Sequence, residues 1–223
     1  MKTPIIIINV KTYEESTGKK ALEIAQAAEK VAQKEKAEIA IAVQATDITM
    51  ISQKVKLPIM AQHIDNKTYG SNTGFLIPEA AKQAGAVGTI LNHAEHQIDE
   101  KTIEETIKKA QKLGMFVCLC ANTPQRGAEL AKYNPEFIAV EPPELIGGDI
   151  SVSNAQPGIV VDAVKLIKKA NPKIKVLVGA GVKTGADVKK SLELGAEGVL
   201  LASGVVKAAD KEKTITDLAK GLK

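Results

Sequence analysis

The chain has 223 residues, of which 44% are hydrophobic and 25% are charged, and its net charge is +4. These values are ordinary for one globular domain, and the 30 basic residues are interspersed with 26 acidic ones, without the aromatic-plus-basic segments of a nucleic-acid surface. The apolar run in MKTPIIIINVK is too short for a signal peptide or a membrane span. We therefore expect a cytoplasmic protein that binds neither nucleic acid nor a membrane.

Eight short apolar runs recur along the chain and predict eight β-strands. Each run is apolar almost throughout, as expected of a strand that is covered on both faces. The segments between them, such as GKKALEIAQAAEKVAQKE and DEKTIEETIKKAQKLG, predict helices because their apolar residues recur at helical spacing. The predicted strands are 5–9, 38–43, 59–63, 87–92, 115–120, 137–141, 175–180 and 198–203.

This alternation, without a linker or a low-complexity tract, predicts a single-domain (β/α)8 TIM barrel over residues 1–223. A doubly wound open sheet is the alternative. Such sheets usually have fewer strands, and the glycine-rich fingerprint of a dinucleotide site is missing after the first strand. The active sites of barrels lie at the carboxyl ends of their strands, so polar residues at those ends are the candidates for chemistry.

Two predicted strands end in polar residues that suit acid–base chemistry. Asn9 and Lys11 lie two residues apart at the end of the first strand, so their side chains share a face and can point into the mouth of the barrel. His93 and Glu95 follow the fourth strand. Lys11 could hold a substrate anion, because an unpaired buried charge is otherwise costly. Read singly, these residues are also compatible with a solvated lysine and a structural histidine.

The sixth predicted strand, FIAVE, ends in Glu141. Partial burial raises the pKa of a carboxylate from its usual value of about 4.3 and makes it a stronger base. Pro142 and Pro143 restrict the backbone behind it, whereas Gly147 and Gly148 free it. This pattern is typical of a lid with Glu141 at its root, and the alternative is a charged strand end followed by an ordinary glycine loop.

Small residues follow the seventh and eighth strands, in GAGVKTG and LLASGVVK. Small residues let backbone N–H groups approach a ligand, and this pair of loops commonly forms the phosphate site of barrel enzymes.

Elsewhere, the spacing of Cys118 and Cys120 matches neither a zinc site nor a disulfide, so we expect two core thiols. We expect structural roles for His63 and His96.

Three motifs, in this order along the chain, resemble triosephosphate isomerase. They are Asn-x-Lys after the first strand, Asn-His-x-Glu after the fourth, and Val-Glu-Pro-Pro-Glu-Leu-Ile-Gly at the sixth. Further fragments agree, among them Gln62 in AQH, Thr73 in SNTGFLIPEA and Cys120 in VCLCAN. The resemblance runs from INVKTYEE to LLASGVVKA, over essentially the whole chain, and is closest to the short archaeal form of the family.

The resemblance implies an isomerase of glycolysis and gluconeogenesis that interconverts dihydroxyacetone phosphate and D-glyceraldehyde 3-phosphate without a cofactor or a metal. In this pattern Glu141 is the base, His93 polarises the carbonyl group, and Lys11, positioned by Asn9, stabilises negative charge. The catalytic lid corresponds to about residues 142–153. The residues that the resemblance places in substrate binding are Asn9, Lys11, Ile146, Gly147, Gly181, Ala202 and Ser203.

The resemblance also implies an assembly. Thr73 lies in the loop NKTYGSNTGF, which in this family reaches into the site of a neighbouring subunit. We expect a homotetramer, or otherwise a homodimer.

Several positions depart from the family pattern. Ala94 stands where a serine is common, Phe75 replaces an acidic residue, Lys183 replaces a small polar residue, and Gly148-Asp149 replaces Thr-Gly. These changes leave the reaction class intact. Two other functions compete with it: a different enzyme on the same phosphate site, such as an indole- or prenyl-type glycerol phosphate barrel, and a non-catalytic phosphate-binding descendant.

Overall fold

Eight parallel strands close into a barrel in the computed structural model, which describes residues 1–142 and 151–223. The strands pair in chain order, and β1 pairs with β8 as well as with β2, which closes the sheet. The barrel prediction is therefore confirmed, and the open doubly wound sheet is wrong. The strands are β1 Ile5–Asn9, β2 Glu38–Val43, β3 Ile59–Ala61, β4 Gly88–Leu91, β5 Phe116–Ala121, β6 Phe137–Val140, β7 Lys175–Val178 and β8 Gly198–Leu201.

Helices follow the strands around the outside of the barrel. Short 3-10 turns at Glu14–Ser16, Ala45–Asp47 and Ala131–Tyr133 complete the connections. The α-helices in the described residues are α1 Lys19–Glu35, α2 Ile48–Ser52, α3 Pro78–Gln83, α4 Glu100–Lys112, α5 Pro124–Leu130, α6 Val152–Ala155, α7 Pro157–Ala170, α8 Gly185–Glu193, α9 Ser203–Val206 and α10 Lys211–Lys220. None of these helices is long and apolar enough to cross a membrane, within the ranges that the structure describes.

The strands are apolar on both faces because each face meets a separate core. In β1, Ile5 and Ile7 point into the barrel, whereas Ile6 and Ile8 point outward against the helices, and all four are fully buried. Burial of an isoleucine side chain stabilises the fold by about 1.5–3 kcal/mol relative to its exposure. The alternation of side chains along a strand therefore divides one apolar run between two cores.

The interior of the barrel also contains both cysteines. Cys118 and Cys120 are free, fully or almost fully buried, and lie on the inward face of β5. The prediction of two core thiols on one strand face is confirmed.

Helix boundaries follow the signals in the sequence. Thr184 caps α8, because its hydroxyl accepts a hydrogen bond from the Asp187 N–H while the Asp187 carboxylate accepts one from the Thr184 N–H. Gly114 and Gly195, which follow the ends of α4 and α8, have φ angles of 67° and 98°, a conformation that favours glycine.

The predicted lid falls mostly on a segment that lies outside the described residues. Pro142 and residues 151–153 of the predicted range are described, whereas 143–150 are not. Ile146 and Gly147, which the resemblance places in substrate binding, and the departures at Gly148 and Asp149 belong to that segment, so they stay predictions.

Candidate active site

The carboxyl ends of five strands, β1, β4, β6, β7 and β8, meet in one pocket that is open to solvent. These are the strands whose ends carry the polar and small residues noted in the sequence. The residues that line the pocket are Asn9, Lys11, Tyr13, His93, Glu141, Ala180, Gly181, Val182, Leu200, Leu201, Ala202 and Ser203.

Glu141 is the most deeply enclosed acid of the pocket. Its backbone N–H donates to the Ala121 carbonyl at 2.9 Å, which extends the β5–β6 pairing by one residue, and the residue is only 6% exposed. Burial raises the pKa of Glu141 to about 7, although a hydrogen bond from the Cys120 thiol and the charge of Lys11 oppose the rise. Oε2 accepts no hydrogen bond from the described residues. This carboxylate therefore has the properties of a base near neutral pH.

His93 faces Glu141 across the pocket, with 3.6 Å between His93 Nε2 and Glu141 Oε2. The Glu95 N–H donates to His93 Nδ1 at 3.1 Å, so Nδ1 is the acceptor and the proton of the neutral ring lies on Nε2, directed at the pocket. Burial, and then the nearby charge of Lys11, lower the pKa of His93, whereas Glu95 raises it. The histidine is therefore a neutral hydrogen-bond donor.

Contacts of both its backbone and its ammonium group hold Lys11 in place. Its backbone N–H donates to Asn9 Oδ1 at 3.0 Å, and its carbonyl oxygen accepts from Gln62 Nε2 at 2.9 Å. Its Nζ pairs with Glu95 Oε1 at 2.6 Å. The φ angle of Lys11 is 52°, a left-handed conformation that costs about 1–3 kcal/mol and persists only where surrounding contacts impose it. These contacts keep the ammonium group near the pocket.

The far wall of the pocket is built from the loops after β7 and β8. Ala180 and Gly181 have φ angles of 72° and 70°, which turn the backbone sharply behind β7. Gly204, at the start of α9, lies so close to this turn that a Cβ atom there would be 2.9 Å from the Val182 carbonyl oxygen. Ala180, Gly181, Ala202 and Ser203 have small side chains, which lets backbone groups of both loops approach an anion.

The structure brings together most of the residues predicted from the sequence. Of the described members of that set, all line the pocket: Asn9, Lys11, His93, Glu141, Gly181, Ala202 and Ser203. Their roles in catalysis and binding remain predictions. His63 and His96 do not line this pocket; their rings stack at 4.0 Å beside it, and His63 Nε2 lies 3.4 Å from Asp65 Oδ1.

Sequence reasoning gave no role to Tyr13 and did not relate Gly179 to Glu141. Tyr13 lines the pocket, and its position two residues after Lys11 is the signal that could have indicated a role. Gly179, the first residue after β7, leaves room for Glu141: a Cβ atom on it would lie 2.5 Å from Glu141 Oε1. A contact between neighbouring strands of this kind leaves no local signal in the chain.

Comparisons with known proteins agree with this geometry. The family model for triosephosphate isomerase matches residues 4–220. The chain is 48% identical to the triosephosphate isomerase of Methanocaldococcus jannaschii, covering 97% of this chain and 99% of that protein, and 46% identical to that of Methanobacterium bryantii, covering 97% and 96%. A crystal structure of the triosephosphate isomerase of Bartonella henselae shares the fold, with a TM-score of 0.76 at 20% identity and coverage of 96% and 98%. The chain belongs to the triosephosphate isomerase family.

Proposed function

We propose that this protein interconverts dihydroxyacetone phosphate and D-glyceraldehyde 3-phosphate, with Glu141, His93 and Lys11 as its catalytic residues. The observation that carries the assignment of these residues is their arrangement. A buried carboxylate with a raised pKa faces a neutral imidazole at 3.6 Å, and a lysine lines the same pocket. The reaction moves protons only, so it needs no cofactor.

Glu141 acts first as the base. Its carboxylate takes a proton from the carbon next to the substrate carbonyl, and the electron pair of that C–H bond moves to form an enediolate. The same group, now protonated, returns the proton to the neighbouring carbon. A pKa of about 7 suits both steps, because a carboxyl group with this pKa both accepts and releases a proton near neutral pH.

His93 and Lys11 act on the oxygens. The Nε2–H of His93 donates a hydrogen bond to the carbonyl oxygen, which carries the developing negative charge. The imidazole then moves the proton of the neighbouring hydroxyl to that oxygen, so the carbonyl oxygen of the substrate becomes a hydroxyl of the product and the former hydroxyl oxygen becomes its carbonyl. The Lys11 ammonium stabilises that charge. Its salt bridge to Glu95 and the hydrogen bond of its N–H to Asn9 position it before substrate binds.

The phosphate group belongs on the opposite wall of the pocket. Support comes from the small residues Gly181, Ala202 and Ser203, which line that wall and leave backbone groups open. Ile146 and Gly147 are proposed phosphate contacts on the basis of the resemblance alone, since both lie outside the described residues.

A coupled isomerase assay tests the proposed function. We expect turnover of D-glyceraldehyde 3-phosphate by the unmodified protein. Glu141→Ala should fold and lose at least about 10²–10⁴-fold in kcat, because no neighbouring group replaces a positioned base. Glu104→Ala, which removes an exposed carboxylate on α4, is the matched control and should keep its activity. Near-normal turnover by Glu141→Ala would remove Glu141 from the mechanism, and a lack of turnover by the unmodified protein would favour a non-catalytic phosphate-binding role.

We further propose a cytoplasmic location and an assembly of identical subunits. The two free, buried thiols support a reducing compartment. Exposed aromatic side chains support the assembly: Tyr69 is 65% exposed and Phe75 is 51% exposed, on the same loop as Thr73. A homotetramer is our first choice and a homodimer the second.

A further inference from the structure

One buried carboxylate outside the pocket joins two separate segments of the chain. Asp187, at the start of α8, is 8% exposed. Its Oδ1 accepts from Ser151 Oγ at 2.8 Å and from Asn154 Nδ2 at 2.7 Å. Its Oδ2 accepts from the Lys183 N–H at 3.1 Å, and from the N–H and hydroxyl of Thr184, both at 2.9 Å. Oδ1 therefore binds the segment that contains Ser151 and Asn154, whereas Oδ2 binds the turn after β7.

We infer that Asp187 is a positioning residue for the phosphate group of the substrate, which it influences through the turn after β7. This inference rests on the proposed function and deepens it. Asp187 does not line the pocket. It acts by holding Lys183 and Thr184, which directly follow the pocket residues Gly181 and Val182.

The turn after β7 requires such an anchor. Ala180 has a φ angle of 72°, and an alanine adopts this conformation only where its surroundings impose it. Gly181 follows with a φ angle of 70°, so two consecutive residues have left-handed backbone. The carboxylate of Asp187 fixes the chain at the far end of this turn, and thereby the direction of the backbone groups that line the pocket.

Helix capping alone does not account for the contacts of Asp187. Asp210 caps α10 by accepting one hydrogen bond from the Lys213 N–H at 2.9 Å, and Asp210 is exposed. Asp187 is buried, and its second oxygen is committed to Ser151 and Asn154, which belong to a segment 33–36 residues away in sequence. A carboxylate is needed here because both oxygens accept, whereas an amide would turn one acceptor into a donor.

The protonation state agrees with this role. Burial raises the pKa of Asp187, but the hydrogen bonds from Ser151, Lys183 and Thr184 outweigh it and hold the pKa below its usual range. The carboxylate is therefore ionised at neutral pH and accepts from all of its donors. Hydrogen bonds to a charged group are stronger than those between neutral groups.

Asp187→Asn tests the inference with two substrates. We expect the KM for D-glyceraldehyde 3-phosphate to rise about tenfold, corresponding to about 1.4 kcal/mol of lost binding, with kcat changed less than about twofold. The kcat/KM for D-glyceraldehyde, which lacks the phosphate, should stay the same. Asp210→Asn, a change of the same chemistry at another helix cap, should leave both substrates unaffected.

A second variant probes the connection between the segments. Ser151→Ala removes one donor to Oδ1 and leaves the cap of α8 in place, so it remains informative if Asp187→Asn fails to fold. We expect it to raise the KM for the phosphorylated substrate about threefold, as for one weakened hydrogen bond. In the Asp187→Asn background, Ser151→Ala should add little, because both changes act through the same carboxylate.

The outcomes separate this inference from the proposed function. The affinity for inorganic phosphate, measured by isothermal titration calorimetry, reports on the phosphate site even if the unmodified protein turns over no substrate. Weaker phosphate binding by Asp187→Asn than by Asp210→Asn supports the inference. Equal phosphate affinity in these two variants, or equal losses for the phosphorylated and unphosphorylated substrates, would overturn it.

Discussion

At the scale of single residues, the requirements of the proposed chemistry oppose those of stability at Glu141. A base needs a raised pKa, and burial supplies it here, since the carboxylate is 6% exposed and Oε2 has no hydrogen-bond donor among the described residues. The same burial makes the ionised form costly in the folded state. His93 shows the corresponding effect for a cation, because burial lowers its pKa and keeps the ring neutral.

We predict that Glu141→Gln stabilises the fold in a pH-dependent way. The pKa of Glu141 is about 7 in the folded chain and 4.5 in its ordinary state, so between these values the folded state binds the proton more tightly than the unfolded state. Stability of the unmodified protein is therefore lost as pH rises through this window. The difference between the two pKa values corresponds to a loss in the free energy of unfolding of about 3 kcal/mol at pH 8 and of under about 1 kcal/mol at pH 5.

Urea unfolding of both proteins at pH 5 and pH 8, at one protein concentration, measures this difference. The variant should exceed the unmodified protein in free energy of unfolding at pH 8, and the two should be close at pH 5. Because all other titrating groups are common to both proteins, their contributions cancel in the comparison. An advantage of equal size at both pH values would show that the ionised carboxylate is not its cause.

At the scale of secondary structure elements, the site depends on how closely neighbouring strands pack. The side chain of Glu141, at the end of β6, lies against Gly179 at the end of β7. A Cβ atom on Gly179 would lie 2.5 Å from Glu141 Oε1, 2.7 Å from Cγ and 2.8 Å from Cδ. Glu141 can therefore occupy its position at the end of β6 only because Gly179, at the end of β7, has no side chain.

We predict that Gly179→Ala lowers kcat about 10–100-fold while changing KM little, since a displacement of about 1 Å at a reacting group costs that much. The overlap involves three atoms of Glu141 and no other residue among the nearest ones, so the carboxylate should move rather than the sheet. Steady-state kinetics measures the effect. Gly158→Ala on α7, where a Cβ atom meets nothing within 4 Å, is the control and should show unchanged kcat. An unchanged kcat in Gly179→Ala would refute this account.

At the scale of the whole molecule, the barrel places a rigid apolar interior beneath a polar rim. Its inner core contains aliphatic side chains, Phe137 and the two cysteines, whereas the polar residues of the site lie at the carboxyl ends of the strands. The loop that connects β3 to α3 differs from this arrangement, because it exposes the apolar side chains of Tyr69 and Phe75 to solvent. Large exposed apolar side chains on one loop are typical of an interface.

We predict that the protein is oligomeric and that this loop lies in the interface. Light scattering at micromolar concentration should give the mass of a tetramer, or otherwise of a dimer. Phe75→Asp should shift the mass toward the monomer, because a charge buried at an interface is costly. Val161→Asp, at a 44% exposed position on α7, is the matched control and should leave the mass unchanged. An active monomer of the unmodified protein would contradict the prediction.

The sequence was sufficient for the architecture because the signals of this fold are local. Nearly continuous apolar runs indicate strands that are covered on both faces, and all eight predicted strands form, although β3, β7 and β8 each end two residues earlier than predicted. Polar residues at strand ends converge whenever parallel strands close into a barrel, so Asn9, Lys11, His93 and Glu141 were recognisable before any coordinate was known.

Tertiary structure decided the properties that depend on residues far apart in the chain. The left-handed backbone of Lys11 is supported by Gln62, and the space for Glu141 comes from Gly179. The sequence around Asp187 contains no signal for its contact with Ser151, because only the folded chain brings Ser151 to its second oxygen. Patterns along the chain report on burial and local backbone conformation, whereas pKa values and precise orientation arise from atoms that meet only after folding.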